Sequence, residues 1–229
     1  MSTPIVLFDL DGTLVDTAPD LIDSLNHTIT AVGLEPVSFD DVTYLVGQGV
    51  RVMIRRAFEL RQARLDDALF ETLIDRFMVH YASQMPGRSQ IYPGVLECLD
   101  RLSAAGMTLA VCTNKPHDLA LLLMGKLGLS DRFAAITGGD TFAMRKPDAG
   151  HILGTIGMAN AEPSRSLMVG DSVNDILAAK NAGIASIAVS FGYSDVPVEQ
   201  LEPDHVIAGY EELTAELVEG LLARRPDAA

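Results

Sequence analysis

The sequence predicts an α/β protein with a doubly wound parallel sheet, interrupted after its first strand by a helical insertion. Three observations lead there. Short unbroken apolar runs recur, IVLF at 5–8, TLAVC at 108–112, SLMV at 166–169 and SIAVSF at 186–191, as expected of strands buried on both faces. Between them lie amphipathic, helix-length segments, VLECLDRLSAAG, PHDLALLLMGKLG and SVNDILAAKNAG. Each closes on a glycine able to take the left-handed position at a helix C-terminus. From residue 17 to 84 the pattern is instead helical, with no strand-like run of comparable strength.

Taken in order, the first run is the first strand and the helical stretch after it is an insertion. PGRSQIYPG at 86–94 reads as the linker that returns the chain, by its prolines and glycines. The strand and helix alternation then resumes, giving a core of residues 1–16 and 86–229 and an insert of 17–85. Shorter apolar pieces at 135–137 and 206–208 suit peripheral strands.

Bulk properties narrow the classes of function. The 229 residues are 48% hydrophobic, enough for one packed core. No apolar run approaches the length of a membrane helix, and the first residues, MSTPIVLFDLDGT, lack the basic and cleavage-site features of a secretory signal. A cytoplasmic protein is expected. Cys98 and Cys112 are too few for a disulfide scaffold and read as buried thiols. Seventeen basic residues against 31 acidic give a net charge of −14, which disfavours nucleic acid and anionic membranes as partners. An anionic substrate therefore needs a cation or a local basic patch.

Ligands of an open parallel sheet bind beyond the carboxyl ends of its strands, so the residues that follow each apolar run should converge. Asp9, Asp11, Gly12 and Thr13 follow the first run, Thr113 and Asn114 the second, and Gly170 and Asp171 the third, with Asp175 a turn later. Lys146 precedes the third strand. Carboxylates crowded at one sheet edge cannot all stay ionised without a compensating cation. An all-oxygen set selects a hard ion, for which Mg2+ is the expectation, and the absence of thiolate or imidazole from these positions argues against zinc. Singly, each of these residues is an ordinary turn or cap: Asp11-Gly12 is a turn signal, and Asp171 or Ser172 can cap a helix. Their joint appearance at the ends of separate strands favours a site.

DLDGTLVDT at 9–17, TN at 113–114, KP at 146–147 and GDSVND at 170–175 resemble, in order and spacing, the four motifs of the haloacid dehalogenase superfamily. The resemblance spans the core. It implies a Rossmann-like fold carrying a small helical cap inserted just after the first motif, where the alternation breaks, and a magnesium-dependent phosphatase. On the matching positions, Asp9 would be the nucleophile and a metal ligand. Asp11 would be the general acid and base, its backbone carbonyl also binding the metal. Thr13, Thr113, Asn114 and Lys146 would bind the phosphoryl group, with Thr113 and Lys146 counted in the catalytic set. Asp171 would complete the metal ligands and Asp175 would act behind them.

An acid at Asp11 disfavours dehalogenation, and the lack of a lysine in the insert disfavours Schiff-base phosphonate cleavage. A pyrophosphatase, a broad sugar phosphatase or a β-phosphoglucomutase-like phosphomutase would share the same motifs. A silent phosphate sensor would not need the full catalytic set, and no exposed apolar stripe supports a docking protein. The insert holds one basic patch, with five arginines from 46 to 64. Arg61 and Arg64 read as a solvated face. Arg51 follows Gly47 and Gly49 at a helix start, where Gly49 and Arg51 are candidates to grip a second anion, a surface role being the alternative. With GGDT at 138–141 and SFGY at 190–193, this patch resembles the phosphoglycolate phosphatases, implying 2-phosphoglycolate as the small phosphorylated metabolite. The histidines are expected at surface or packing positions. Whether the chain is a monomer or a homodimer is left open.

Overall fold

The computed structural model describes residues 2–41, 45, 46 and 49–224. Six strands form one sheet: β1 (Ile5–Phe8), β4 (Thr108–Cys112), β5 (Ala135–Thr137), β6 (Ser166–Gly170), β7 (Ala185–Val189) and β8 (His205–Ile207). Two further short strands, β2 (Val15–Asp16) and β3 (Gln90–Ile91), pair antiparallel beside it. The main sheet runs β5-β4-β1-β6-β7-β8, every pair parallel. Numbered in chain order this is the 3-2-1-4-5-6 arrangement of a doubly wound sheet. As expected, 135–137 and the run near 206 lie at the two edges.

Both faces of the sheet are covered, which is why its strands read as continuous apolar runs rather than alternating ones. Ile5 and Leu7 face one way, onto Ile152 and Ile156 of α6 (Ala149–Met158) and Ala178 and Ala179 of α7 (Val173–Ala182). Val6 and Phe8 face the other way, toward α4 (Val95–Ala104), α5 (His117–Lys126) and α8 (Ala215–Ala223). The helices end where their glycines foretold: Gly106, Gly128 and Gly183 all have positive φ. One run is shorter than it reads. β7 stops at Val189 because Ser190 and Phe191 turn the chain toward Gly192, which packs on Asp171.

Between β2 and β3 lie α1 (Ala18–Thr30), α2 (Val50–Leu60) and α3 (Asp67–Gln84). They pack on one another, and their apolar faces join the same buried cluster as Val6 and Phe8. No helix among the described residues is long and apolar enough to cross a membrane. The β2–β3 ribbon was not readable beforehand, since two-residue strands carry no period.

Where α1 leaves and the chain returns, a buried carboxylate ties the two segments. Asp20 accepts from the Arg88 N–H at 2.8 Å, the Ser89 N–H at 2.8 Å and the Ser89 hydroxyl at 2.6 Å. A side chain at Gly87 would run into it. Asp20→Ala strands those donors in a largely buried setting and is expected to lower stability by about 2 to 3 kcal/mol, read as a drop in the urea midpoint at unchanged slope; an unmoved midpoint would remove Asp20 from the joint.

Candidate active site

Strand register brings the predicted residues together. Phe8 pairs with Val111 on one side and Val169 on the other, so Asp9 stands level with Cys112 and Gly170, and Thr113 and Asp171 come one residue later. The Asp9 N–H still donates to Val169 O at 2.9 Å, continuing the ladder into the site. One oxygen each from Asp9, Asp171 and Asp175 falls within 4.8 Å of the others, and all three residues are buried.

Among the described residues one buried cation, Lys146, pairs with this cluster. The Lys146 ammonium lies 2.5 Å from Asp175 Oδ1 and 3.1 Å from Asp9 Oδ1, with its side chain 1% exposed. Burial works against that charge, but attraction from Asp175 and Asp9 outweighs it and holds the ammonium above its usual range. The carboxylates are left undercompensated. Burial pushes Asp9 up to about 6, against the lowering pull of Lys146, with Asp175 and Asp11 adding to the rise. Burial, then Asp175 and Asp9, raise Asp171 well above the usual carboxylate range. Three buried acids and one buried base, with all-oxygen ligand atoms, fit a divalent cation.

Each acid is oriented by a neighbour. Asp171 accepts from the Thr13 hydroxyl at 3.0 Å and from the Tyr193 N–H at 2.7 Å. The fully buried Thr13 is thus engaged with an acid rather than turned to the cavity. Asp175 accepts from the Ser172 N–H at 2.9 Å and hydroxyl at 2.7 Å through one oxygen, while its other oxygen takes Lys146. It is a helix cap and a site residue at once. Gly12 has φ +80°, and a side chain there would lie 2.5 Å from Asp171 Oδ2 and 2.8 Å from the Tyr193 ring, so glycine is required by backbone and by space.

Asp11 is separate from the carboxylate cluster. Its two oxygens accept from the Lys115 ammonium at 2.9 and 3.1 Å, and the same ammonium reaches Tyr81 Oη of α3 at 2.6 Å. Burial opposes the Lys115 charge, yet Asp11 and Tyr81 raise it above its usual range. The Thr113 hydroxyl accepts from the Lys115 N–H at 3.2 Å. Asn114 donates Nδ2–H to Lys146 O at 2.9 Å, while its Oδ1 is buried with no partner among the described residues.

Asp9 and Asp11 open onto a cavity of about 280 Å3 between the sheet edge and α1–α3, which Thr113, Asn114, Gly49 and Arg51 also line. Its far wall is apolar, with Leu45, Val46, Val50, Met53, Ile74 and Phe77. Gly49 is the N-cap residue of α2; Gly47 lies outside the described residues. Arg51 is engaged elsewhere, its guanidinium forked on Glu71 at 2.9 and 2.6 Å and placed over the Phe70 ring.

Four participants escaped the sequence reading. Lys115 follows the TN motif directly, and its place there was the available signal. Tyr81 comes from α3, 66 residues after Val15 in chain order yet against the core lysine, a contact only folding makes. Tyr193 bonds Asp171 through its backbone while its hydroxyl donates to Asp16 and accepts from the Ala18 N–H at 3.0 Å. It joins the metal-type cluster to the segment where the chain enters the insertion. Buried His151 accepts the Lys146 N–H on Nδ1 at 3.3 Å. Burial, then the Lys146 charge, lowers its pKa to about 4, so it supports the lysine as a neutral ring.

A sequence profile described as haloacid dehalogenase-like hydrolase matches residues 6–189. A phosphoglycolate phosphatase of Agrobacterium fabrum (strain C58) is 60% identical over 227 residues, 99% of this chain and 97% of that protein. One from Mesorhizobium japonicum is 50% identical over 97% of this chain and 98% of its own. A solved structure described as a predicted phosphoglycolate phosphatase from Haemophilus somnus superposes with a TM-score of 0.86 at 31% identity, covering 96% of this chain and 98% of that one. The chain belongs to the haloacid dehalogenase-like hydrolase family and is a phosphoric monoester hydrolase within it. The relatives it resembles there are phosphoglycolate phosphatases.

Two outcomes follow from the crowded acids. Because Asp9 titrates near 6 when folded and near 3.8 otherwise, the folded state binds the extra proton between those values. Its destabilising contribution therefore grows as pH rises from about 4 to 6 and is complete above 6. In chelator-treated protein, Asp9→Asn is expected to raise the melting temperature above pH 6 and to change it less near pH 4; a gain independent of pH would show that Asp9 carries no such strain. A side chain at Gly192 would overlap Asp171 Cβ and Oδ2. Gly192→Ala is expected to weaken divalent-ion affinity about 10- to 100-fold, measured by calorimetric titration.

Proposed function

We propose that this enzyme hydrolyses 2-phosphoglycolate to glycolate and phosphate with Mg2+, through a phosphoryl group carried transiently on Asp9. The observation that carries the reading is the buried cluster of Asp9, Asp171 and Asp175, two of them paired with Lys146, beside a cavity that Asp9 lines. The names of relatives 60% and 50% identical over nearly the whole chain support the substrate.

In this reading a core of residues 1–16 and 86–229 works beneath a cap of 17–85, in the cytoplasm. Asp9 and Asp171, with the Asp11 carbonyl, would hold the ion, and Asp175 would steady Lys146 behind them. Bound there, Mg2+ supplies positive charge that offsets repulsion between the acids and the phosphoryl oxygens. The Asp9 carboxylate attacks phosphorus in line, and the bond to the glycolate oxygen breaks as Asp11 delivers a proton to it. Asp11 then removes a proton from water, which attacks the same phosphorus and releases Asp9 and phosphate. Thr113, Asn114 and Lys146 fix the phosphoryl oxygens, Asn114 through its amide N–H groups, one of which also holds Lys146 O. Lys115, tied to Tyr81 of the cap, keeps the Asp11 carboxylate in place while the apolar cap wall excludes bulk water.

Assay of a panel of phosphate esters with Mg2+ is expected to give the highest kcat/KM for 2-phosphoglycolate, and a sugar phosphate or pyrophosphate in first place would overturn the substrate. Asp9→Asn is expected to lower kcat by about 10⁴-fold or more, and acid-quenched wild-type enzyme to carry phosphate on the peptide containing Asp9. Phosphate found on another residue would displace Asp9 as nucleophile.

A further inference from the structure

Three cations line the cavity beside Asp9: Arg51, Lys115 and Arg145. Two are committed. Arg51 is forked on Glu71, and Lys115 is held by Asp11 and Tyr81. Arg145 differs from both. Among the described residues no carboxylate pairs with its guanidinium and nothing accepts a hydrogen bond from it.

Its position matches a substrate with two anions close together. Arg145 immediately precedes Lys146, whose ammonium reaches Asp9 at 3.1 Å. A turn secures the backbone there, the Asp148 N–H donating to Arg145 O at 2.9 Å. The side chain lines the cavity with Asp9, Asp11 and Asn114, and it also lines the neighbouring outer pocket with Asn114, Lys146 and Asn174. It therefore stands at the mouth of the site, on the sheet side. In a two-carbon phosphate ester the second anion cannot lie far from phosphorus, so its partner must stand near the phosphoryl-binding residues. The opposite wall is apolar and its arginine is already neutralised, leaving that wall poorly suited to a carboxylate.

We propose that Arg145, rather than Arg51, recognises the carboxylate of the substrate and sets the preference for a bianionic ester. This rests on the reading of the substrate given above. It replaces Arg51 in that role and leaves the reaction steps unchanged. An exposed, unpaired arginine in the free enzyme costs no existing ion pair when it turns onto the ligand, whereas Arg51 must first release Glu71.

The test compares kcat and KM for 2-phosphoglycolate and for ethyl phosphate, in which a methyl group stands in place of the carboxylate, in the wild type, R145M, R145K and R51M. Wild type is expected to favour 2-phosphoglycolate. R145M is expected to raise its KM about 10- to 100-fold more than that of ethyl phosphate, the loss of one charge-assisted contact. R145K is expected to recover part of the preference, and R51M to shift the ratio by less than about 3-fold. Should R145M raise both constants alike, or keep the wild-type preference, the assignment of Arg145 fails while the substrate stands. Should R51M abolish the preference, recognition belongs to the cap helix. A wild type indifferent to the carboxylate would overturn both this inference and the substrate reading.

Discussion

The ammonium of Lys146, sunk between Asp9 and Asp175 with Asp171 beside them, is the interaction around which the rest of this protein is arranged. Its side chain is almost wholly enclosed, and removing a buried charge from water is costly unless partners compensate it. Here compensation runs both ways but is unequal, since Asp9 and Asp175 share one ammonium and buried Asp171 lies beside them. The excess negative charge makes the cluster a poor arrangement by itself and a good host for a divalent cation. Stability is given up locally to keep a site ready for charge.

That arrangement needs a rigid surround, and the fold supplies it in layers. β1 and β6 end level with each other, which places Asp9 beside Gly170 and Asp171. His151, as a neutral ring, props the backbone of Lys146 and is itself braced by Thr137 and Thr155. Thr13, Ser172 and the backbone of Tyr193 orient Asp171 and Asp175. The chain positions near Gly12 and Gly192 admit no side chain, because the space is filled by Asp171. Packing, not propensity, decides those two residues.

The same residues connect the chemistry to the insertion. Tyr193 bonds Asp171 with its backbone and Asp16 and Ala18 with its ring hydroxyl. Lys115 bonds the acid Asp11 and, from the other side, Tyr81 of α3. The insertion seated this way holds the Asp11 carboxylate through Lys115 and Tyr81 and closes one side of the cavity with apolar side chains.

Much of this was legible in the sequence because it depends on local rules. Buried parallel strands must be apolar on both faces, so IVLF, TLAVC and SLMV stand out in the sequence, and residues after strand ends must gather at one edge, so the sequence alone groups Asp9, Thr113 and Asp171. The helical insertion was visible as a break in period. Tertiary structure alone decided which cations are free. Arg51 looked available at its glycine-rich helix start but meets Glu71 across the cap, Thr13 turns inward to Asp171, and Lys115 reaches Asp11 and Tyr81. These pairings join residues distant in the chain, and no local pattern encodes which opposite charge a flexible side chain will find once the sheet, the cap and the cavity between them have closed.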